Sequence, residues 1–301
     1  MRQENSTSGA SLERSRRHWL GGAAAAFLSA GGWSRTAHAV RVSEPETSKR
    51  VRDESAALIP FQKLTPAARG KMLPVVQKPT LFRRMPTEQI ACHPALFTFL
   101  VRYPEVVVSM WRMMDATKLS VKRIGQYLLD SNDGAGTTTQ VELVYGTSNM
   151  HLLYADGTYS GPLFRRELQG QCVLVVHSDF QKNNRGEDIV TCTLDVFIAV
   201  KNAGVDLMAR TIHPLIGKTA DHNFAESARF VSQISEQAAK NPAGMQRLSE
   251  RLPHVAPEVR RKFAEQVRDS VAETQTAPAT TESAAATAAT PRGAAPVAQR
   301  R

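Results

Sequence analysis

Apolar residues change their spacing twice along this chain. From Leu119 to His213 they fall at every second position in short runs, which is the pattern of half-buried strands. The runs are Leu119–Leu129, Thr137–Gly146, Met150–Ala155, Cys172–Phe180, Ile189–Val200 and Val205–Ile212. Clusters rich in Asn, Asp and Gly separate them, among them Ser131-Asn132-Asp133-Gly134, Asp156-Gly157 and Asn183-Asn184-Arg185-Gly186. In Ile189–Val200 the even positions Val190, Cys192, Leu194, Val196 and Ile198 are apolar, while Thr191, Thr193 and Asp195 alternate with them. One buried face and one mixed face imply an antiparallel sheet. Thr80–Met85 predicts one further strand ahead of this block.

On either side the spacing becomes helical. Thr65 followed by Pro66 reads as a cap and first helical position. Pro94–Met114 repeats apolar residues at three and four, and Pro104 divides it into two helices. Asn223 and Glu226 form a capping-box pair ahead of a long helix whose stripe is Phe224, Ala228, Val231, Ile234 and Ala238. Pro242 and Pro257 each open another helix, the last with Val259, Phe263, Val267 and Val271 on one side. Residues 40–57 are charged and lack an apolar period, so a flexible spacer is expected there. Residues 273–301 are mainly Ala, Thr, Pro and Ser with almost no large apolar residue, which predicts a disordered tail. The expected architecture is therefore a single α+β domain over 58–272. It has an antiparallel sheet of six to seven strands with the long C-terminal helix packed across it.

Composition alters this picture little, since 42% hydrophobic and 22% charged residues are ordinary for a packed domain. Charge alters it more. The net charge is +10, of which residues 1–39 supply +3, leaving +7 for the rest. Such a charge attracts anionic surfaces: lipid headgroups, envelope polymers or nucleic acid. No block of five like charges occurs, and no nucleic-acid partner is expected. Cys92, Cys172 and Cys192 are too few and too scattered for a disulfide scaffold or a zinc site.

The first 39 residues follow the order of an export leader. A polar start ends in Ser15-Arg16-Arg17-His18-Trp19-Leu20, an apolar stretch runs from Gly21 to Trp33, and Ala37-His38-Ala39 precedes Val40. Thirteen apolar residues are too few to span a bilayer core, which needs roughly 20, and the small-residue triplet predicts cleavage between Ala39 and Val40. The Ser-Arg-Arg-x-aromatic-Leu order resembles the twin-arginine signal peptides, with Arg16 and Arg17 as the pair and Gly21 and Trp19 as departures. That resemblance implies passage through the twin-arginine translocase as a folded protein, to a periplasmic or extracellular place.

The search for chemistry returns mostly exclusions. H-E-x-x-H, G-x-S-x-G and G-x-G-x-x-G are all missing. Gly217-Lys218-Thr219 lacks the earlier glycine of a phosphate loop, because Ile212 stands in its place. No metal site and no cofactor are expected. The candidate ligand-binding residues are His151, His177, Asp179, Arg210 and His213, with Asp221 and His222 beside a helix start. His177 and Asp179 lie two apart on a strand and so share a face. Arg210 and His213 precede a helix N-terminus, a place suited to an anion.

The order of strand, helices, six strands and long helix resembles the helix-grip fold of START-type lipid-transfer and polyketide cyclase-like proteins. The likeness covers roughly 80–240 and rests on element order alone. It implies a mostly apolar cavity and a hydrophobic ligand. Three functions stay open: an exported, non-enzymatic binder of a lipid or other apolar ligand; a cell-envelope protein held to an anionic wall or membrane; and a hydrolase or cyclase using the His177–Asp179 region.

Overall fold

The computed structural model describes residues 39–161, 167–201 and 213–276. In chain order the elements are β1 (Ala39–Arg41), α1 (Lys49–Leu58), α2 (Pro66–Gln77), β2 (Leu81–Arg84), β3 (Glu88–Ala91), α3 (Pro94–Arg102) and α4 (Pro104–Met113). Then come β4 (Ser120–Arg123), β5 (Leu128–Asn132), β6 (Thr137–Gly146), β7 (Met150–Tyr159), β8 (Leu168–Lys182) and β9 (Asp188–Lys201). Three helices follow: α5 (His213–Lys240), α6 (Pro242–Arg251) and α7 (Pro257–Thr276).

The α+β class holds, and the nine described strands join one antiparallel sheet, eight of them in the order β1-β3-β9-β8-β7-β6-β5-β4 and β2 paired with β9 off that path. This is larger than the six to seven strands expected. β2 and β3 lie end to end along β9, with Arg84 opposite Asp195 and Glu88 opposite Cys192. Pro86 falls between them, where a missing N–H would leave a ladder bond unmade. The run Leu119–Leu129 divides into β4 and β5, because the chain reverses at Ile124–Tyr127. The expected strand Val205–Ile212 lies outside the described residues.

Each face of the sheet carries its own core. Strand partners share a face, so Val190 and Cys192 of β9, Val176 and Phe180 of β8 and Ile90 of β3 line the first. There they pack with Leu96, Leu100, Phe230, Ile234 and Phe263 from α3, α5 and α7. The second face gathers Phe82, Leu152, Val173, Val175 and Phe197 against Val51, Met72 and Val76 of α1 and α2. The odd positions of β9 therefore do not face water as a mixed surface, since Asp195 and Phe197 are buried there. Local alternation shows one apolar face; it cannot show that a second layer covers the polar one.

That second layer comes from the segment expected to be a spacer. Val40 pairs with Gln89, and Ser48 caps α1 by accepting from the Val51 amide at 3.4 Å. Only Val51 and Ser55 of this segment, with Ile59 just past the end of α1, form its buried stripe, too sparse a period to read as a helix beforehand. At the other end α7 continues to Thr276, past the expected start of the tail, and the rest of the tail lies outside the described residues. Asn223 is not a cap, because α5 begins ten residues earlier at His213 and Asn223 sits inside it. Pro66, Pro94, Pro104 and Pro242 do open their helices as read.

α5 packs on the β1–β3 side of the first face, fixed by Arg83 of β2 donating through Nε to Asp221 at 2.7 Å and by the Ser235 hydroxyl accepting from the His93 amide at 3.2 Å. Two helices, α6 and α7, follow it and pack beside it, so the C-terminal helix is not the long one expected: the 28-residue α5 is followed by helices of 10 and 20 residues. No described helix is long and apolar enough to cross a membrane.

Candidate functional site

Among the described residues, part of the first face is left uncovered by the helices. Ala155 stands opposite Cys172, Gly157 opposite Gly170, and Thr139 opposite Gly157. On the far side Cys172 faces Ile198 and Gly170 faces Val200. Together with Tyr159 and Leu168 these side chains line a hollow of about 210 Å³ whose accessible surface is almost wholly apolar. That volume is below the roughly 300–1,000 Å³ of drug-sized sites, so it fits one apolar arm of a molecule rather than a whole large ligand.

Small residues make the hollow. A Cβ on Gly157 would stand 2.4 Å from the Thr138 carbonyl oxygen, so strand crowding requires glycine there. Gly170 is different. A Cβ there meets only the Ala199 carbonyl oxygen at 4.0 Å, so its hydrogen opens space that a side chain would fill. Cys172 contributes a free thiol to the floor, with its pKa pushed up to about 12 by burial, so it acts as a neutral apolar group. Cys92 and Cys192 are free as well. The Cys172–Ile198 register keeps Cys172 six residues from Cys192, roughly 20 Å along the strand.

The polar candidates lie elsewhere. His151 shares the face of the hollow, but four residues down β7, roughly 13 Å away. It is 1% exposed. Arg102 of α3 donates through Nε to its Nε2 at 3.0 Å and through Nη2 to the Thr147 carbonyl at 3.1 Å. Burial, with the Arg102 charge, lowers its pKa to about 4. Its Nδ1 is buried without a partner among the described residues. This is a neutral core histidine.

His177 and Asp179 do share a face, and it is the face opposite the hollow. Thr193 and Thr191 stand across from them. Burial lowers the His177 pKa, while Asp195 and Asp179 oppose that and Arg84 adds to it. Asp179 is exposed, and no hydrogen bond among the described residues joins His177 to a hydroxyl or thiol nucleophile. Among the described residues no three His, Cys, Asp or Glu side chains converge as a metal site. His213 is the first residue of α5; Arg210, Arg16 and Arg17 lie outside the described residues. Asp221 proves to be the partner of Arg83 rather than a cap, and His222 beside it is exposed.

The sequence search passed over the hollow. Gly157 reads as part of a turn and Gly170 falls outside the expected strand runs, whereas both stand inside β7 and β8, where a glycine marks close backbone approach or room for a ligand. The buried ion pairs Arg84–Asp195 and Arg123–Glu105 were also not foreseen.

No family model matches this chain, and no curated protein matches it. Among solved structures it is similar to the crystal structure of a conserved protein from Geobacillus kaustophilus, at 12% identity and a TM-score of 0.34. The match covers 49% of this chain and 89% of that one.

Proposed function

We propose that the protein is an exported, non-enzymatic binder of a lipid or another apolar small ligand. The observation that carries this is the hollow on the first sheet face, where the described residues leave an apolar floor of Ala155, Cys172, Ile198 and Val200 open. Apolar surface of that kind gains about 25 cal/mol for each Å² removed from water, so a hydrocarbon arm laid there is held without any polar contact. The likeness to helix-grip proteins belongs to this reading. α5 plays the gripping helix on the β1–β3 side, and the hollow is the part of the face it leaves open.

Gly170→Leu tests the site. A leucine has room for its Cβ and strengthens a strand position that glycine weakens, so the melting temperature holds or rises. Its side chain then fills the hollow. Uptake of the neutral dye Nile red should fall at least about tenfold, the scale of blocking roughly 60 Å² of apolar contact. Lipid co-purifying with the protein, read by mass spectrometry, should fall in parallel. A folded variant that binds as before places the ligand elsewhere.

Export is tested separately. Replacing Arg16 and Arg17 with Lys should retain the protein in the cytoplasm on cell fractionation. Unchanged export of the double variant would assign it to another route.

A further inference from the structure

The positive charge of the chain is concentrated. Beyond the leader the net charge is +7, and residues 49–78 supply +5 of it, with seven Lys and Arg against Asp53 and Glu54. These thirty residues are α1, a short 3-10 turn and α2, the layer whose inner side fills the second-face core. Their outer side is therefore basic. Arg50 pairs with Glu54, Arg52 with Asp53 and Lys71 with Glu142 across on β6, so the nearby acids are already engaged. Lys49, Lys63, Arg69 and Lys78 are exposed, with no carboxylate within 4 Å among the described residues.

The same N-terminal part of the fold holds Leu58 at 55%, Val40 at 54% and Val42 at 48% exposure. A soluble polyanion rewards basic charge alone. A bilayer rewards the charge at its anionic headgroups and the apolar side chains just beneath them. We infer that the outer face of α1 and α2 docks on an anionic lipid membrane, with Leu58 entering the headgroup layer and Lys63, Arg69 and Lys78 against the lipid charges. This surface is on the opposite side of the sheet from the hollow and is independent of the ligand reading.

The full chain is compared with two triple variants. One is Lys63→Gln, Arg69→Gln and Lys78→Gln. The other removes three exposed charges elsewhere: Lys118→Gln, Arg251→Gln and Arg261→Gln. Partitioning is measured onto phosphatidylglycerol–phosphatidylcholine vesicles and onto pure phosphatidylcholine vesicles, at two salt concentrations, with melting temperature as the check on folding. The first triple should lose about a hundredfold in binding to the anionic vesicles, at about one kcal/mol for each basic residue near the surface. The second should lose far less, and salt should weaken the starting protein. Leu58→Ser should lower vesicle binding and leave polyphosphate binding unchanged. Equal losses from both triples, or none from the first, would overturn the docking face. Polyphosphate binding as tight as vesicle binding, with Leu58→Ser affecting neither, would assign the surface to a soluble polyanion and overturn the membrane. Gly170→Leu should leave vesicle partitioning unchanged, so the failure of one proposal does not entail failure of the other.

Discussion

Arg84→Met should destabilise the fold by about 3–5 kcal/mol. Arg84 donates to both oxygens of Asp195, at 2.7 Å each. The carboxylate is 0% exposed, whereas the guanidinium side chain is 23% exposed. Removing the arginine thus leaves a fully buried charge with no counterion, while its own position is partly open to water. The hydrogen bonds to Asp195 hold the Arg84 pKa up against burial, as a tight pair requires. Combining Arg84→Met with Asp195→Leu should restore most of the loss, because an apolar pair there joins Phe82 and Phe197 on the same face. The double-mutant cycle, read by urea unfolding, gives the coupling directly. His177 supplies a second readout. Arg84 lowers and Asp195 raises its proton affinity, so in Arg84→Met the His177 pKa should rise, and the variant should lose less at pH 5 than at pH 8. A cost below about 1 kcal/mol would mean that Asp195 is not held as a buried anion.

Acid should weaken the native fold through His151. In the unfolded chain the imidazole takes up its proton near 6.5, but in the folded protein burial and Arg102 delay this to about 4. Between those values the unfolded state binds more protons, so stability falls as the pH falls. The contribution is fully present above about 6.5 and is lost by about 4. It amounts to up to about 3 kcal/mol from this one side chain. His177, also lowered chiefly by burial, adds in the same direction. Urea midpoints measured from pH 8 to pH 4 should therefore decline most steeply below 6.5. His151→Leu should flatten that decline, since the Arg102 guanidinium keeps the Thr147 carbonyl as an acceptor. An identical slope in the variant would mean that the acid sensitivity arises from carboxylates instead.

The helices that could be read in advance share a local cause. Thr65 accepts from the Ala68 amide at 3.2 Å ahead of Pro66, and proline opens each of the helices at 94, 104 and 242. These are effects of residues on their immediate neighbours, so they need no tertiary context. The turn between β8 and β9 was equally legible from Asn183-Asn184-Arg185-Gly186, where the Asn183 amide donates to the Glu187 carbonyl at 2.9 Å. What was misread turned on contacts far apart in the chain. α1 has a short stripe that becomes a core only against Phe82 and Phe197. β1 has three residues, and it exists because Ile90, Gln89 and Glu88 offer it an edge.

The candidate site divides in the same way. Alternation along Ile189–Val200 determined which residues share a face, because side-chain direction has a period of two in any strand. The same period along Cys172–Phe180 put His177 and Asp179 on one face, and the uneven distribution of charge, with +5 in residues 49–78, is likewise a property of the sequence by itself. Which half of a face is covered depends on where α3, α4 and α5 come to rest, and that is decided by packing across the sheet. The tertiary structure alone set His151 apart as a buried neutral base, engaged Asp221 and Asp195 in ion pairs, and, among the described residues, left Gly157, Gly170 and Cys172 open as an apolar floor. Periodicity orients a side chain relative to its own backbone, whereas burial, pairing and cavity are relations between segments that meet only on folding.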